Sequence, residues 1–384
     1  MSRSPATIVA TAGVGADPGR GALVPPLWSS DTYRWDGPET KPEYDYSRTV
    51  NPNRDLLADA LASLEGAAGG AVTGSGQSAA LLALMLLPQG ALVVAPHDCY
   101  GGTYRLIQGL ADQGKLRALF VDQQNDDAYA HAMEQEPALV WFETPSNPLL
   151  RLVDLERRAG EAKAAGALTV ADNTLPTPLR QQPLALGCDL VMHSLTKALN
   201  GHADLHGGAL LARDPALVGK LLWWTNAAGL ALPAYDSAQT LRGLRTLPLR
   251  VDRLEQTAAT LANWLSAHDQ VLEVHYPGLA SHPDHALATR QQKGPGFMIS
   301  ARLKGGVEAV KPFLAALEVV TLASSLGGFA TLVCTPASMT HRGMPPEAQV
   351  RAGIHPDLLR FSIGLEDAGD LIADFERGFA AAST

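Results

Sequence analysis

Only three cysteines occur in 384 residues (Cys99, Cys188 and Cys334), and no two of them form a CxxC pair. Three cannot all be paired, so neither a disulfide framework nor a cysteine zinc site is expected. Basic residues are also in deficit. Lys and Arg number 30 against 39 Asp and Glu, a formal charge of −9. Such a chain lacks the clustered basic surface that a phosphate backbone demands, so no nucleic-acid partner is expected. Long apolar runs are missing too. The longest, AALLALMLL at 79–87, ends at Pro88; it is too short for a bilayer and suits a buried helix, so no membrane partner is expected. The N-terminus has no basic stretch followed by an apolar core, so no secretory signal is read there. What is present is a chain 46% hydrophobic and 18% charged, enough to bury a sizeable core. At about 150 residues per domain its length predicts two or three domains. The composition predicts a soluble, reduced, cytoplasmic protein.

Residues 1–48 are rich in Pro, Gly, Ser and Thr and end in KPEYDYSR. With little periodicity and no apolar face, they predict an extended arm. DLLADALASLEGA (55–67) repeats Leu and Ala at helical spacing, with Gly66 and then Gly69-Gly70 as the stop. Five short runs follow: ALVVAP (91–96), RALFVD (117–122), ALVWFE (138–143), ALTVAD (167–172) and DLVMHS (189–194). Each is unbroken rather than alternating, as expected of a strand covered on both faces. Helical stretches such as TYRLIQGLADQG and LERRAGEAKAAG lie between them. This rhythm predicts an α/β fold with a mostly parallel central sheet wrapped by helices. Beyond a boundary at 243–244 the long amphipathic LEQTAATLANWLSAH and the final DLIADFERGFAAA predict a smaller α+β domain. The three expected parts are therefore 1–48, 49–243 and 244–384.

The chemistry concentrates in ADNTLPTPLRQQPLALGCDLVMHSLTKALNGHADLHGG (171–208). Asp172 ends one expected strand, and Ser194-Leu195-Thr196-Lys197 follows the end of another, where open α/β sheets bind ligands. An acid, two hydroxyls and a lysine suit a phosphorylated heteroaromatic cofactor: the lysine forms a Schiff base, the hydroxyls bind phosphate and the carboxylate pairs with a ring nitrogen. The spacing alone leaves equally open a surface lysine and an aspartate that merely ends a strand.

This stretch resembles the signature of the Cys/Met-metabolism family of fold-type-I pyridoxal 5′-phosphate (PLP) enzymes. Further matches run in order along nearly the whole chain: YSRTVNPN (46–53), HDCYGGTYR (97–105), ETPSNP (143–148), SLGG (325–328) and LLRFSIGLED (358–367). Within the family, PHDCYGGTYRL, the Trp223-Trp224 pair, LRGLRTL and HALATRQQKG look most like the γ-synthase branch. The resemblance implies Lys197 as the Schiff-base lysine and proton carrier, and Asp172 as the partner of the pyridine nitrogen. It implies phosphate contacts from Ser194, Thr196, Gly76 and Gln77, a ring stacked under Tyr100, and Asn147 at the ring oxygen. Arg360 and Ser325 fall to the substrate, with Arg360 on its α-carboxylate. Tyr46 and Arg48 match arm residues that reach a neighbouring subunit's phosphate, which implies a dimer that shares active sites and a tetramer as the usual assembly.

By the same resemblance, Arg105 with Asp45 and Arg48 forms the pocket for the distal group of an O-acyl-L-homoserine, and an arginine there suits a succinyl ester. The implied reaction is γ-replacement by a thiol such as L-cysteine on small amino-acid substrates. A lyase or a sulfhydrylase of the family, or replacement by a non-thiol nucleophile, is the alternative. Several positions depart from the family pattern. Ser324 stands where glutamate usually precedes SLGG, Gln77 where methionine is usual, Ala198 for the tyrosine of TKY, Ala203 for serine, His206 for an apolar residue and Ala330 for glutamate.

Overall fold

All five unbroken runs become strands in the computed structural model, which describes residues 3–383. They are β2 Ala91–Pro96, β3 Leu116–Val121, β4 Leu139–Glu143, β5 Leu168–Asp172 and β6 Leu190–Ser194, joined by β1 Gly69–Thr73 and β7 Gly208–Ala212 in one seven-stranded sheet. Its order is β1-β7-β6-β5-β4-β2-β3. Strands β2 to β6 pair in parallel, while β7 runs antiparallel to both β6 and β1. Burial on both faces explains their unbroken apolar sequence: β4 is buried at every position and β2 at all but its first.

Strands β1 and β7 were not expected: Gly69-Gly70 reads as a helix stop, and Gly208 opens the other run. The glycines belong to the pairing. A Cβ on Gly70 would run into the Leu210 carbonyl oxygen of β7, and one on Gly208 into the Ser75 backbone, so only glycine lets these backbones close up. Gly66 does end its helix, as a left-handed cap at φ 66.

A second sheet of β8 Val271–His275, β9 Met298–Leu303, β10 Thr321–Leu322, β11 Leu332–Cys334 and β12 Leu358–Ser362 follows, in the order β10-β11-β12-β9-β8. It is antiparallel apart from the β10–β11 pair. Phe313 and Phe379, from the helices Gly306–Ala315 and Ala368–Ala382, pack with ring centroids 5.0 Å apart over it. The helix Leu247–Ala267 serves both sheets: Leu247, Val251 and Leu254 join one core, Ala258, Leu261 and Leu265 the other.

Within the segment expected to be extended, α1 (Pro5–Thr11) is helical. Ser4 caps it by accepting the Thr7 N–H at 3.3 Å, and Pro5 stands in its first turn, where a missing N–H costs nothing. Val9 is buried against α2 (Pro52–Glu65), with Ile8 and Ala12 alongside. A helix of seven residues, about two turns, needs only one short apolar edge, too little to register as periodicity.

Candidate active site

The carboxyl ends of β4, β5 and β6 lie side by side, with Glu143 opposite Asp172 in register and Asp172 opposite Met192. Asp172 accepts the Thr174 N–H at 3.0 Å. Burial raises its pKa, opposed by the Thr174 bonds and by the charges of His193 and Lys197. The chain then turns after β6. Ser194 donates its N–H to the Thr174 hydroxyl at 2.8 Å, and the Thr196 hydroxyl accepts the Gly207 N–H at 3.2 Å.

Lys197 emerges from this turn and donates from Nζ to the Ser325 hydroxyl at 2.6 Å. Burial, and then the Arg360 guanidinium, hold its ammonium down to about 8, against the pull of Asp172. Ser325 sits at φ 86, a backbone strain of about 1–3 kcal/mol for a non-glycine residue that only a well-fixed site retains. Its neighbour Gly327, at φ 71, abuts Ala198 so closely that a Cβ there would lie 2.7 Å from the Ala198 nitrogen.

Arg360 reaches the same place from the second sheet. Nη1 donates to the Asn147 side-chain oxygen at 3.0 Å and Nη2 to the Ser325 carbonyl at 2.8 Å. Its buried Nε–H has no partner among the described residues, leaving a donor that a bound carboxylate would satisfy.

An anion cradle completes the site. Helix α3 (Gly76–Leu84) starts beside Ser194; Ser75 caps it by accepting the Ser78 N–H at 3.0 Å. A Cβ on Gly76 would stand 2.9 Å from the Ser194 Cβ, so glycine brings the free first-turn N–H groups alongside that hydroxyl. Gln77 and the Tyr100 ring face Gly102, where a Cβ would meet both. Tyr100 caps α4 (Gly101–Asp112) and is 36% exposed.

These features together are a partly desolvated lysine, a carboxylate at a strand end, and hydroxyls at a helix N-terminus. The model of the Cys/Met metabolism PLP-dependent enzymes matches residues 6–380. The chain belongs to that family, and it is a PLP-dependent enzyme. It is 47% identical over 384 residues to the cystathionine gamma-synthase of Escherichia coli K12, covering all of both chains. It is 40% identical over 372 residues to a cystathionine beta-lyase of Coxiella burnetii, covering 96% of each. A crystal structure of cystathionine gamma synthase from Xanthomonas oryzae pv. oryzae, in complex with aminoacrylate and cysteine, superposes with a TM-score of 0.98 at 48% identity, covering 100% of this chain and 99% of that one.

The residues present fit PLP. Lys197 can be a neutral amine near physiological pH, the α3 N-terminus with Ser194 and Thr196 suits a phosphate, and Asp172 suits a protonated ring nitrogen. The arm residues stand apart from this cluster. Arg48 donates to the Asn226 carbonyl and side-chain oxygens at 2.9 and 2.7 Å, the exposed Tyr46 lies under its guanidinium, and Asp45 pairs with Lys41 at 3.3 Å. Ser324 is exposed, while Ser325 beside it points its hydroxyl at Lys197.

Three groups in the site carry no sequence signal of their own. Glu143 accepts the backbone N–H of Tyr100 at 2.7 Å and of Asn147 at 3.2 Å. Glu65 of α2 pairs with His193 at 2.6 Å, with neither side chain exposed, and also accepts from Asn173 at 2.8 Å. His341 is wholly buried; burial, and then the Arg360 and Arg105 charges, push its pKa down to about 4. The first pair of partners is 43 residues apart and the second 128, so only folding reveals them.

Proposed function

We propose that this enzyme carries out γ-replacement on an O-acyl-L-homoserine, the succinyl ester by preference, with a thiol such as L-cysteine. The observation that carries this reading is the pair of guanidiniums that both act on His341. Arg360 is tied into the site. The Arg105 guanidinium, on the first turns of α4 and packed against Gly343, makes no hydrogen bond or ion pair among the described residues. Two separate cationic anchors suit a substrate with two separate carboxylates, as a succinyl ester of homoserine has. The similar proteins named as cystathionine gamma-synthases support the same reaction.

When bound, PLP supplies a carbonyl that captures an amine and a ring that withdraws electrons from the substrate Cα. The chain supplies the rest. Arg360 grips the α-carboxylate and so fixes the Cα–H bond relative to the ring. Asp172 keeps a proton on the ring nitrogen. The first-turn N–H groups of Gly76 and Gln77, with the Ser194 and Thr196 hydroxyls, hold the phosphate. Tyr100 covers the ring and limits water. Lys197 Nζ, steadied by the Ser325 hydroxyl, takes the Cα proton and then serves Cβ. Overall the Cγ–O bond to the acyloxy group breaks and a Cγ–S bond forms.

The test compares kcat/KM for O-succinyl- and O-acetyl-L-homoserine. The wild type favours the succinyl ester, and Arg105→Ala loses about 10- to 100-fold on that ester while leaving the acetyl ester little changed. Equal losses on both esters would reject the distal role of Arg105. The exposed Ser324, where the family pattern has glutamate, favours a nucleophile other than cysteine as a second reading; turnover of the ester with another thiol or an amine, while L-cysteine is ignored, is its mark.

The proposal extends to a homo-oligomer, a tetramer built of dimers in which Tyr46 and Arg48 reach the neighbour's phosphate. Exposure of Leu23, Val24, Leu27, Trp35 and Tyr46 along the arm supports it. Coexpressed Lys197→Ala and Arg48→Ala chains then recover activity that neither has alone; no recovery would refute a shared site.

A further inference from the structure

Glu143 ends β4, is 5% exposed as a residue and pairs with no cation among the described residues. Its two oxygens are spent on backbone. Oε2 accepts the Tyr100 N–H at 2.7 Å and Oε1 the Asn147 N–H at 3.2 Å. Those two residues sit on different loops, and each carries a different part of the site. Tyr100 opens α4 and bears the ring that lies over Gly102 beside Gln77. Asn147 holds Arg360 through its side-chain oxygen at 3.0 Å.

Keeping an acid here is expensive. Burial, and then Asp172 directly across the sheet, push the Glu143 carboxyl well above the usual carboxylate range, and only the N–H bonds from Tyr100 and Asn147 pull it down. Asp98 and Cys99 also face it and add no positive charge. Asp98 accepts the Ser146 hydroxyl at 2.8 Å and is 3.8 Å from Arg151, so that guanidinium is engaged by another carboxylate. A neutral glutamine would fit the same space but offers one acceptor oxygen, not two. What a carboxyl does in this place, and an amide cannot, is accept from both loops at once.

We propose that Glu143 is a positioning residue that sets the cofactor ring and the substrate-carboxylate arginine with one carboxyl, acting through Tyr100 on one side and through Asn147 and Arg360 on the other. The inference rests on the PLP site and is independent of the ester and the nucleophile.

The test uses the full-length chain with Glu143→Gln. The apoprotein is titrated with PLP, and the visible circular dichroism of the bound cofactor is measured per bound molecule, since that signal reports how the ring is held. In the variant the dissociation constant for PLP rises about tenfold, the visible dichroism per bound PLP falls by about half or more, and the substrate KM rises together with the loss in kcat. Far-ultraviolet dichroism of the apoprotein stays that of the wild type. Should the glutamine variant fail to fold, Glu143→Asp, which keeps both acceptors but one methylene short, is read in the same way. A folded variant with wild-type PLP affinity and wild-type visible dichroism would overturn the proposal. So would a variant that loses thermal stability while its bound-PLP signal is unchanged, since that is the mark of a purely structural acid. A wild type that binds no PLP would instead remove the cofactor reading itself, so the two failures are distinct.

Discussion

The amine of Lys197 reacts only when neutral, and its surroundings decide when that happens. Burial and the Arg360 charge bring its pKa to about 8, from the 10.5 of a free lysine. The folded chain therefore holds this proton more weakly than the unfolded chain does. The sign follows: the group costs stability below about 8, and the cost is relieved as pH rises from there towards 10.5. Capture of PLP by the apoprotein is predicted to speed up as pH rises and to level off above about 8. The growth rate of the visible band, followed from about pH 6 to 10, checks this; a rate still climbing at the top of the range would show an unperturbed lysine. Lys197, Asp172 and Arg360 were legible only through the family resemblance, since residue types and spacing alone left a surface lysine and a strand-ending aspartate equally open. Glu143 was inside ETPSNP and still illegible. Its work is to accept backbone N–H groups, and a backbone donor leaves no mark on residue type. The Ser325–Lys197 bond was hidden for a related reason, since it depends on the φ of one residue.

Among the elements, the turn that carries Lys197 is held from behind. Arg250, from the helix Leu247–Ala267, is 7% exposed and has no acidic partner among the described residues. It donates to the Ala198 carbonyl at 2.7 Å, the Gly243 carbonyl at 2.8 Å and the Thr246 hydroxyl at 3.1 Å. Burial alone lowers its pKa to about 10, so it remains charged at neutral pH. Gly201, at φ 76, passes so near that any side chain there would collide with the guanidinium. Arg250→Met keeps the bulk but strands the buried Ala198 carbonyl, at about 1–3 kcal/mol, while the Gly243 carbonyl keeps the Thr246 N–H at 3.2 Å. A fall of several degrees in Tm is expected, together with weaker PLP binding; a variant with wild-type Tm and affinity would show that the clamp is idle. The strands β2 to β6 could be read from sequence since two-sided burial forces an unbroken apolar run. Strands β1 and β7 could not, because their close approach is made by glycine, the residue that otherwise signals an end.

At the scale of the molecule, the site lies where two sheets meet. The larger supplies Glu143, Asp172 and Ser194 from strand ends, and the smaller supplies Arg360 from β12. The boundary proposed at 243–244 would make the start of the helix Leu247–Ala267 the hinge point between them, with its two halves in the two cores. No helix among the described residues is long and apolar enough to cross a membrane. Composition and rhythm carried the layered α/β architecture, whereas the meeting of Arg360 with Asn147, 213 residues apart, needed the folded chain. The two-sheet site is proposed to run a replacement reaction that consumes a thiol. Purified, PLP-loaded protein given O-succinyl-L-homoserine, with and without L-cysteine, is assayed by mass spectrometry. Cystathionine and succinate are expected only when cysteine is present. Conversion of the ester to 2-oxobutanoate and ammonia at the same rate with or without cysteine would show that the thiol is no substrate.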